Sequence, residues 1–588
     1  MRGRTRWPMV CATILLLGMF SLQLTTARQE SQIIDEGVHL AAGLSYWKTW
    51  DFRMNPEHPP VIKYLAALPL LFTSVQLPLN TPAWHTWNEW VFGDTFVYHN
   101  TLAPQTILFL GRLPIMLLSI LLGIWIFRAS RELFGDWPAV FSVSLYALDP
   151  GFIAHGHYIT TDLGFAAFGF WSVFRLQRWL RQPTWRNGLI FGVAFCAAGL
   201  SKFSGVAFLA AILVALVLVK FSQPNHPALR WRRGWKILLV GIPIVALLTW
   251  ALYGFDIRRP TNDPRIHQLY LDRTTYLQTH DVAKLPRSQQ YIINHLGNTQ
   301  TGLGKFVVRA SQWPIPGYAF FRGFIAVIGH SVGGQTAYLL GQYRDTGWWY
   351  YFPLTVLLKT PLPTLAALLG LTALIIIRLT HVHRARSWRT WWSTINQTWL
   401  VYLVVPTVFF GISMMSHLNL GWRHIMFIYP FIFVLAGILA SDRFIRQRWL
   451  RISLPLVLGV GMVITQFATY PRELGFFNPL IGSSKNAPRY LLDSNLDWGQ
   501  DLPKLQQFMS AHRLTSIPFS YYGREAAVPT YVRAAHLPTS AEQAANPVHG
   551  WVAISVGQLY QQQHGYDWLK ARTPQAILGS SIYVYYWP

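Results

Sequence analysis

Residues 8–39 read PMVCATILLLGMFSLQLTTARQESQIIDEGVH, an apolar run that is followed by the acidic pair Asp35 and Glu36. About twenty apolar residues in a row are enough to cross the hydrocarbon core of a bilayer. Carboxylates at a membrane are costly and mark functional sites. The stretch therefore predicts a transmembrane helix with a chemical site at its outer mouth.

The composition is that of a polytopic membrane protein. Of the 588 residues, 52% are hydrophobic and only 12% are charged, against about 25% charged in ordinary soluble domains. The net charge of +25 would also suit a nucleic-acid-binding protein, but the basic residues lie between the apolar stretches and not in one patch. We therefore expect no nucleic-acid partner. Cys11 and Cys196 both lie in apolar stretches, so they provide no disulfide or zinc framework.

The apolar stretches predict an α-helical membrane domain with about eleven spans. Basic residues flank these spans in six clusters, and all six fall on one side if the N-terminus is cytoplasmic, as the positive-inside rule requires. A cleaved signal peptide is the alternative interpretation of the first span. The spans lie near residues 8–26, 104–127, 137–153, 160–176, 187–200, 203–220, 236–253, 349–378, 397–414, 424–440 and 452–468.

Two outer loops and a tail then face outward, at residues 27–103, 254–348 and 469–588. In the first loop, the apolar run Val61–Val75 is short for a span and follows two prolines, which favours a helix lying on the membrane surface. The tail alternates a helical stretch with strand-like runs, which indicates a small α/β domain. The predicted division is a membrane domain of residues 1–468 and an extracytoplasmic domain after it.

The acidic pair is the first candidate for chemistry. Adjacent residues on a helix point about 100° apart, so Asp35 could face a cavity as a general base while Glu36 pairs structurally. The alternative is an N-cap with a solvated neighbour. His39 shares a helical face with both residues, either as a metal ligand or, as we favour, as an imidazole that orients a carboxylate.

A stiff turn follows at Asn55-Pro-Glu57-His58-Pro-Pro-Val-Ile-Lys63. Proline fixes its own backbone and restricts the preceding residue, so this turn could hold Glu57 and His58 firmly against a lipid headgroup. The alternative is a rigid loop without a binding role.

Three further outer segments contribute charged side chains. The loop before the fourth span contains His157 and Asp162, although Asp162 could merely cap the helix. Lys202 lies between two short spans, 187–200 and 203–220, and Arg423-His424 lies at the start of the tenth span. A guanidinium is planar and permanently charged, so Arg423 is suited to binding a lipid phosphate, whereas Lys202 could also simply snorkel.

The acidic run from Asp493 to Asp501 fails as a calcium loop. Trp498 stands where the turn glycine belongs, and Lys504 replaces the bidentate glutamate. We expect a structured turn that leads into a helix.

Together these features resemble the polyprenyl-phosphate-dependent glycosyltransferases of the GT-C class. The likeness is to the protein O-mannosyltransferases and the lipid A aminoarabinose transferases, that is, to glycosyltransferase family 39, and it covers roughly residues 8–250 in motif. It rests on the Asp35-Glu36 pair, the step Thr49-Trp50-Asp51-Phe52, the stretch Glu57-His58-Pro59-Pro60, and Asp162. In the aminoarabinose branch a lysine stands where this chain has His58, which leaves Lys63, Lys202 or Arg423 to meet the lipid phosphate.

The resemblance implies a GT-C-like fold in a bacterial inner membrane. It also implies transfer of a hexosyl or pentosyl group, with inversion, from a polyprenyl-phosphate donor to an extracytoplasmic protein, lipid or envelope glycan. No cofactor is required, although a divalent metal at Glu57 and the histidines stays open. The implied catalytic carboxylates are Asp35, Glu36 and Asp162, and the implied substrate-binding residues are Arg53, Glu57, His58, Lys63, His157, Lys202, Arg423 and His424.

Two other functions compete with this interpretation. A transporter or flippase would place ionisable residues near mid-span and would show repeated, broken helices. Here the charged residues cluster at the outer ends of spans, and the sequence shows no internal repeat. A non-catalytic scaffold that binds cell-wall glycans is the second alternative, and it would tolerate the loss of Asp35.

Overall fold

The computed structural model describes residues 6–223, 226–229, 231–263, 281, 290, 294, 301–383, 397–560 and 565–588. Much of the second predicted outer loop and the basic cluster at Arg384, Arg386 and Arg389 lie outside the described residues.

The described residues form a helical domain followed by a small mixed sheet. In the first half the helices are α1 (Trp7–Gln29), α2 (Glu36–Thr49), α3 (Pro60–Ala67), α4 (Pro82–His85), α5 (Glu89–Tyr98), α6 (Pro104–Phe134), α7 (Asp136–Ala147), α8 (Pro150–His155), α9 (Thr161–Arg181), α10 (Trp185–Gly199), α11 (Gly205–Ser222) and α12 (Trp231–Leu252). In the second half they are α13 (Gly302–Ala310), α14 (Tyr318–Gly333), α15 (Tyr351–Lys359), α16 (Leu362–His383), α17 (Gln397–Met414), α18 (Tyr429–Ala436), α19 (Arg448–Thr469), α20 (Leu502–Ala511), α21 (Val528–Tyr531), α22 (Ser540–Ala545), α23 (Val556–Tyr560) and α24 (Asp567–Lys570). Short 3₁₀ helices lie at Leu68–Phe72, Pro227–Leu229, Pro260–Asn262, Trp422–Ile428, Gly437–Ala440, Pro479–Ile481, Ser484–Arg489, Asp493–Asn495 and Glu525–Ala527.

Helices occupy all eleven predicted span positions. Among the described residues, five are long and apolar enough to cross a membrane, and a bent pair would make a sixth. Large apolar side chains such as Ile14, Leu117 and Phe467 stay exposed on them, as expected of surfaces that face lipid. The five are Trp7–Gln29, Pro104–Phe134, Gly205–Ser222, Trp422–Ala440 and Arg448–Thr469.

Two predicted spans are wrong as continuous helices. The stretch 349–378 is broken between α15 and α16, which meet at a bend of 117°. Pro361 and Pro363 lie at the break and remove backbone donors there. The stretch 137–153 is divided between α7 and α8, because Asp149 accepts a hydrogen bond from the Phe152 N–H and so begins a new helix.

The apolar run after Pro60 packs one face on the protein and leaves Leu68 and Phe72 exposed, so its position on the membrane surface stays a prediction. It forms α3 and the 3₁₀ turn that ends at Phe72, and Ile62 and Lys63 are fully buried. The backbone of α3 lies so close to α2 that a Cβ on Gly43 would come within 2.1 Å of the Lys63 carbonyl oxygen. A glycine is therefore required at this contact.

The tail contains the predicted α/β domain. The strands of the described residues are β1 (Ile257–Arg258), β2 (Ile315–Pro316), β3 (Ala337–Leu339), β4 (Gln342–Arg344), β5 (Ile517–Ser520), β6 (Ala534–Ala535), β7 (Gly550–Ser555), β8 (Ala576–Leu578) and β9 (Ile582–Trp587). The five strands of the tail are ordered β6-β5-β7-β9-β8 in the sheet; β5 is parallel to β6 and β7, and β9 is antiparallel to β7 and β8. Helix α20 confirms the predicted helical stretch, and three of the strands match the strand-like runs.

The tail packs directly on the segment that leads into the acidic pair. The Ser31 N–H donates to the Gln500 carbonyl at 2.9 Å, and the Ile34 N–H donates to the Trp498 carbonyl at 3.1 Å. This pairing ends one residue before Asp35, so the tail domain helps to fix where the acidic pair lies.

The buried carboxylate of Asp501 holds the end of the sheet. Its Oδ2 accepts bonds from the Ser580 N–H at 3.0 Å and the Ser581 N–H at 3.2 Å, and its Oδ1 pairs with Lys504 at 2.7 Å. Hydrogen bonds to a charged group contribute roughly 1.5–3 kcal/mol each. We expect Asp501→Ala to lower the free energy of unfolding by at least about 3 kcal/mol, measured as thermal stability in detergent.

Asp567→Ala is the matched control, because Asp567 also pairs with a lysine three residues away but has a side chain that is 75% exposed. This variant should change stability by less than about 1 kcal/mol. Equal losses in the two variants would contradict the structural role of Asp501.

Candidate functional site

Asp35 lies at the N-cap position of α2, but its side chain makes no capping hydrogen bond. The carboxylate instead faces Arg423, whose Nη1 lies 3.2 Å from Asp35 Oδ2. The alternative of a simple helix cap therefore does not describe Asp35.

Four charged side chains form a continuous chain. Lys202 Nζ lies 2.5 Å from Asp162 Oδ1, and Asp162 Oδ2 lies 3.3 Å from the same Arg423 Nη1 that contacts Asp35. The order is Lys202, Asp162, Arg423, Asp35, and we call this set the charge chain. Two cations and two carboxylates alternate along it, so each charge has an opposite neighbour.

The charge chain draws on four separate parts of the sequence. Asp35 precedes α2, Asp162 is the second residue of α9, and Lys202 lies in the turn between α10 and α11. Arg423 lies on the 3₁₀ helix that opens the tenth predicted span. Each of the four residues lies near the N-terminal end of a helix, and the fold brings their side chains into contact.

The tail domain supports Arg423 from the other side. The Nε of Arg423 donates to Ser494 Oγ at 3.2 Å, and the Arg423 guanidinium lies 4.3 Å from the centre of the Trp498 ring. A guanidinium stacked on an aromatic face has a fixed orientation. Arg423 is therefore held by both domains, between the carboxylates and the tail.

Burial distinguishes the two carboxylates. The Asp162 side chain is 1% exposed and bonds both cations, whereas the Asp35 side chain is 18% exposed. Asp162 can hold cations in place, and Asp35 is the carboxylate that a substrate can reach.

Glu36 forms a buried ion pair, the arrangement expected if Asp35 faces the site while Glu36 pairs structurally, and its place among the catalytic carboxylates gains no support from this position. Arg112 donates to it twice, from Nε at 2.8 Å and from Nη2 at 2.6 Å, and both side chains are at most 1% exposed. The N–H groups of Ile33 and Ile159 also donate to it. With both oxygens bonded in this way, Glu36 has a structural role next to Asp35 and not the role of a base.

Arg112 also gathers the segment that precedes the acidic pair. Its remaining donors bond the carbonyl groups of Ala27, Glu30 and Ser31. This side chain therefore fixes both Glu36 and the backbone that leads into Asp35.

His39 lies on α2, four residues after Asp35, and bonds the backbone before α9. Its Nδ1 donates to the Ile159 carbonyl at 2.7 Å, and its ring meets the edge of the His58 ring with centres 4.9 Å apart. Burial lowers the pKa of His39, and the Asp35 carboxylate opposes that shift. Burial also lowers the pKa of His58 well below its ordinary value, and the nearby His39, Lys63 and Lys202 add to the shift. The predicted role of His39 in orienting a carboxylate stays a prediction.

His157 does not reach the charge chain. Its Nε2 lies 2.9 Å from Glu30 Oε2, and its Nδ1 donates to the Ile153 carbonyl at 3.0 Å. It is buried in this pair, so the predicted substrate-binding role has no support from its position. His424 follows Arg423 on the same 3₁₀ helix and is the histidine adjacent to the chain.

Three predicted binding residues belong to a separate cluster in the first outer loop. Lys63 is fully buried and donates to the Tyr46 hydroxyl at 2.8 Å and the Asn55 carbonyl at 2.6 Å. Glu57 accepts a bond from the Asn55 amide at 2.9 Å. Arg53 pairs with Asp51 at 2.7 Å, away from Asp35. Lys63 is therefore not a member of the charge chain.

Glu57 and Glu89 form a coupled acidic pair in this cluster. Burial, together with the Glu57 charge, raises the pKa of Glu89 well above its ordinary range. The pKa of Glu57 is lowered in spite of burial, because it accepts a hydrogen bond from Glu89.

In the part of the chain that the structure describes, no group of three His, Cys, Asp or Glu side chains is arranged to hold a metal ion. The possibility of a divalent metal at Glu57 and the histidines gains no geometric support there.

Sequence reasoning missed Arg112, Ser494 and Trp498. Arg112 left a signal, since it is a cation within an otherwise apolar predicted span, where ionisable residues are rare and paired. Ser494 and Trp498 left none, because only the folded tail brings them to Arg423.

One family model matches part of the chain. Residues 106–253 match the model described as dolichyl-phosphate-mannose-protein mannosyltransferase. A search of curated proteins gives no match. The family match confirms the resemblance to polyprenyl-phosphate-dependent glycosyltransferases over this segment, which contains Asp162 and Lys202.

Two solved structures are similar over nearly the whole chain. ArnT from Cupriavidus metallidurans, bound to undecaprenyl phosphate, is 13% identical with a TM-score of 0.43, covering 99% of this chain and 98% of that one. The apo oligosaccharyltransferase of Archaeoglobus fulgidus is 11% identical with a TM-score of 0.46, covering 95% of this chain and 71% of that one.

Breaking the buried Arg112–Glu36 pair should have a large effect on stability. Removing one partner of a buried ion pair leaves an uncompensated charge and costs about 3–5 kcal/mol. Arg112→Ala should therefore lower the unfolding temperature strongly in detergent. Arg131→Ala is the control, because it breaks a pair with Asp136 in which the side chains are 35% and 37% exposed and should cost about 1 kcal/mol or less. An Arg112→Ala protein as stable as the control would contradict this role.

Lys63 predicts a pH dependence of stability. Burial lowers its pKa from 10.5 to about 7, although the Glu57 and Glu89 carboxylates oppose the shift. Between pH 7 and 10 the unfolded chain therefore binds more protons at this site than the folded chain, so stability rises with pH over that window. The slope is at most about 1.4 kcal/mol per pH unit. The unfolding temperature of Lys63→Met, compared with wild type from pH 7 to 10, should lack this rise, and parallel profiles would contradict it.

Proposed function

We propose that this protein is a membrane glycosyltransferase that moves a sugar from a polyprenyl-phosphate donor to an extracytoplasmic acceptor. The observation that carries the proposal is the charge chain at the ends of several helices. In it the reachable carboxylate of Asp35 contacts one fixed cation, Arg423, and Asp162 joins that cation to a second one, Lys202. A base for a hydroxyl beside a binding site for a phosphate is what this transfer requires. The family match at residues 106–253 supports the same chemistry.

Asp35 acts as the general base in this proposal. The acceptor hydroxyl gives its proton to the Asp35 carboxylate while its oxygen forms a bond to the anomeric carbon of the donor. The bond between that carbon and the phosphate oxygen breaks, and its electron pair leaves with the polyprenyl phosphate. Attack from the face opposite the leaving group inverts the anomeric configuration.

Lys202 and Arg423 stabilise the departing phosphate. Two cations fixed at a partly buried site favour the charge that the phosphate gains as the bond breaks. A general acid is not needed, because the phosphate is a good leaving group without a proton. Asp162 positions both cations through its contacts at 2.5 and 3.3 Å.

In this proposal the N-terminus lies in the cytoplasm of a bacterial inner membrane, and the charge chain and tail lie on the outer side. The basic residues between spans support this orientation. The lipid tail of the donor would then lie among the apolar helices, with its phosphate at their outer ends. The chemistry of the chain's own residues requires no cofactor.

A transporter or flippase is the alternative function. It would need ionisable side chains near the middle of the spans. The charge chain lies instead where helices begin, at the starts of α2 and α9 and before α11, and so favours the transferase.

The test uses purified protein in lipid bilayers with a set of labelled polyprenyl-phosphate sugars. We expect wild type to release label from the lipid, and Asp35→Asn to reduce the rate about 10²–10⁴-fold, the usual contribution of a general base. Asp94→Asn is the matched control: Asp94 also pairs with an arginine, Arg524, but lies away from the charge chain. It should retain wild-type release.

Three results would contradict the proposal. Equal release by wild type and Asp35→Asn would exclude Asp35 as the base. Equal loss in both variants would show a general defect. No release with any donor, by folded protein supplied with an envelope extract as acceptor, would favour the transporter.

Removing a cation of the charge chain should weaken binding of the donor. A hydrogen bond to a charged group contributes roughly 1.5–3 kcal/mol, so Lys202→Met should weaken binding of polyprenyl phosphate about tenfold to hundredfold. Lys48→Met is the control, because Lys48 bonds a backbone carbonyl of Val75 in the first outer loop. Unchanged affinity in Lys202→Met, measured by titration in nanodiscs, would contradict the assignment of Lys202.

A further inference from the structure

A cavity of about 310 Å³ lies beside the charge chain. It is bounded by the β3–β4 hairpin, by the loop that leads to Arg423, and by the tail domain. Its volume lies at the lower end of the range for ligand pockets, roughly 300–1,000 Å³. The space suits a small ring compound or the end of a longer molecule.

The wall of the cavity is aromatic and carries a single carboxylate. None of the residues that line it, all within the described part of the chain, is a Lys, Arg or His. A phosphorylated headgroup would find no cation here. The aromatic and polar lining residues are Tyr338, Tyr343, Tyr351, Tyr522, Asp493 and Asn419.

Two of these residues have hydrogen-bonding capacity for a ligand. The hydroxyl of Tyr343 is buried and has no hydrogen-bond partner among the described residues. Asp493 accepts a bond from the Tyr522 hydroxyl at 3.1 Å and one from the Ser494 N–H at 2.5 Å, and a carboxylate can accept further bonds. By contrast, the Tyr338 hydroxyl is already bonded to the Pro488 carbonyl at 2.6 Å.

The carboxylate of the cavity is connected to the base. Arg423 donates from Nε to Ser494, the residue after Asp493, and from Nη1 to Asp35. Burial raises the pKa of Asp493, Arg423 opposes the shift, and Asp35 adds to it. Arg423 therefore links Asp35, which it contacts directly, to Asp493, whose neighbour Ser494 it contacts, and this places the cavity next to the charge chain.

We propose that this cavity binds the acceptor and that the acceptor presents a neutral sugar ring to it. Tyrosine rings pack against the apolar face of a sugar, while their hydroxyls and a carboxylate bond its hydroxyl groups. The inference rests on the proposed function, since the bound ring would direct a hydroxyl toward Asp35. Asp493 and Tyr343 are positioning residues for this ring.

The experiment measures binding and transfer separately on the full-length protein in nanodiscs. The binding probes are maltotriose, cellotriose and chitotriose, with a Ser/Thr-rich peptide and a phosphorylated sugar as competitors, followed by saturation-transfer NMR. Release of label from the polyprenyl-phosphate donor is followed in the same preparations.

Thr336→Trp places a large ring at the mouth of the cavity and should weaken binding of the preferred trisaccharide at least tenfold. Gln335→Trp is the matched control, because Gln335 is also exposed but does not line the cavity; it should leave binding unchanged. Tyr343→Phe should weaken binding about fivefold by removing one hydrogen bond.

The outcomes separate this inference from the proposed function. Trisaccharide binding that Thr336→Trp abolishes and Gln335→Trp preserves would support the inference. Binding of none of the trisaccharides, preferential binding of the peptide or the phosphorylated sugar, or equal effects of the two tryptophan variants would overturn it. Donor release that still depends on Asp35 in those cases would leave the proposed function standing. Sugar binding without any donor release would overturn the transferase and keep only the binding site.

Discussion

The site depends on one guanidinium. Arg423 contacts Asp35 and Asp162 on one side and Ser494 and Trp498 on the other. Arg423 therefore joins the helical domain to the tail domain and sets the position of both carboxylates. A lysine could not replace it, because a single ammonium cannot make these planar contacts and stack on an indole ring.

A second buried arginine, Arg112, fixes the backbone that leads into Asp35. The Arg112–Glu36 pair, with the carbonyls of residues 27, 30 and 31, fixes the turn that carries Asp35. Burying a charged pair is expensive and stabilises only if every donor and acceptor is satisfied. Here both side chains make several bonds, so the cost is offset and the adjacent carboxylate of Asp35 is left available for chemistry.

The sequence predicted the positions of the helices, because long apolar runs and flanking basic residues depend only on local composition. It failed where a local signal overrides length: Asp149 and Pro150 start a new helix, and the prolines at 361 and 363 break another. It also identified Asp35, Asp162, Lys202 and Arg423 as candidates, since charged residues at helix ends stand out against an apolar background. It could not identify the partners of Glu36, His157 and Lys63, because only the fold brings Arg112, Glu30 and Asn55 to them. The contribution of Ser494 and Trp498 likewise depends on the packing of the tail against the segment before Asp35.

The central claim is that Lys202 and Arg423 bind the phosphate of the donor beside Asp35. The most direct measurement is a cryo-EM structure of the protein with a polyprenyl phosphate in a lipid nanodisc. We expect phosphate density within hydrogen-bond distance of both Lys202 and Arg423, with Asp35 facing the space from which the anomeric carbon would be attacked. Phosphate density at Lys63, or anywhere away from the charge chain, would contradict it.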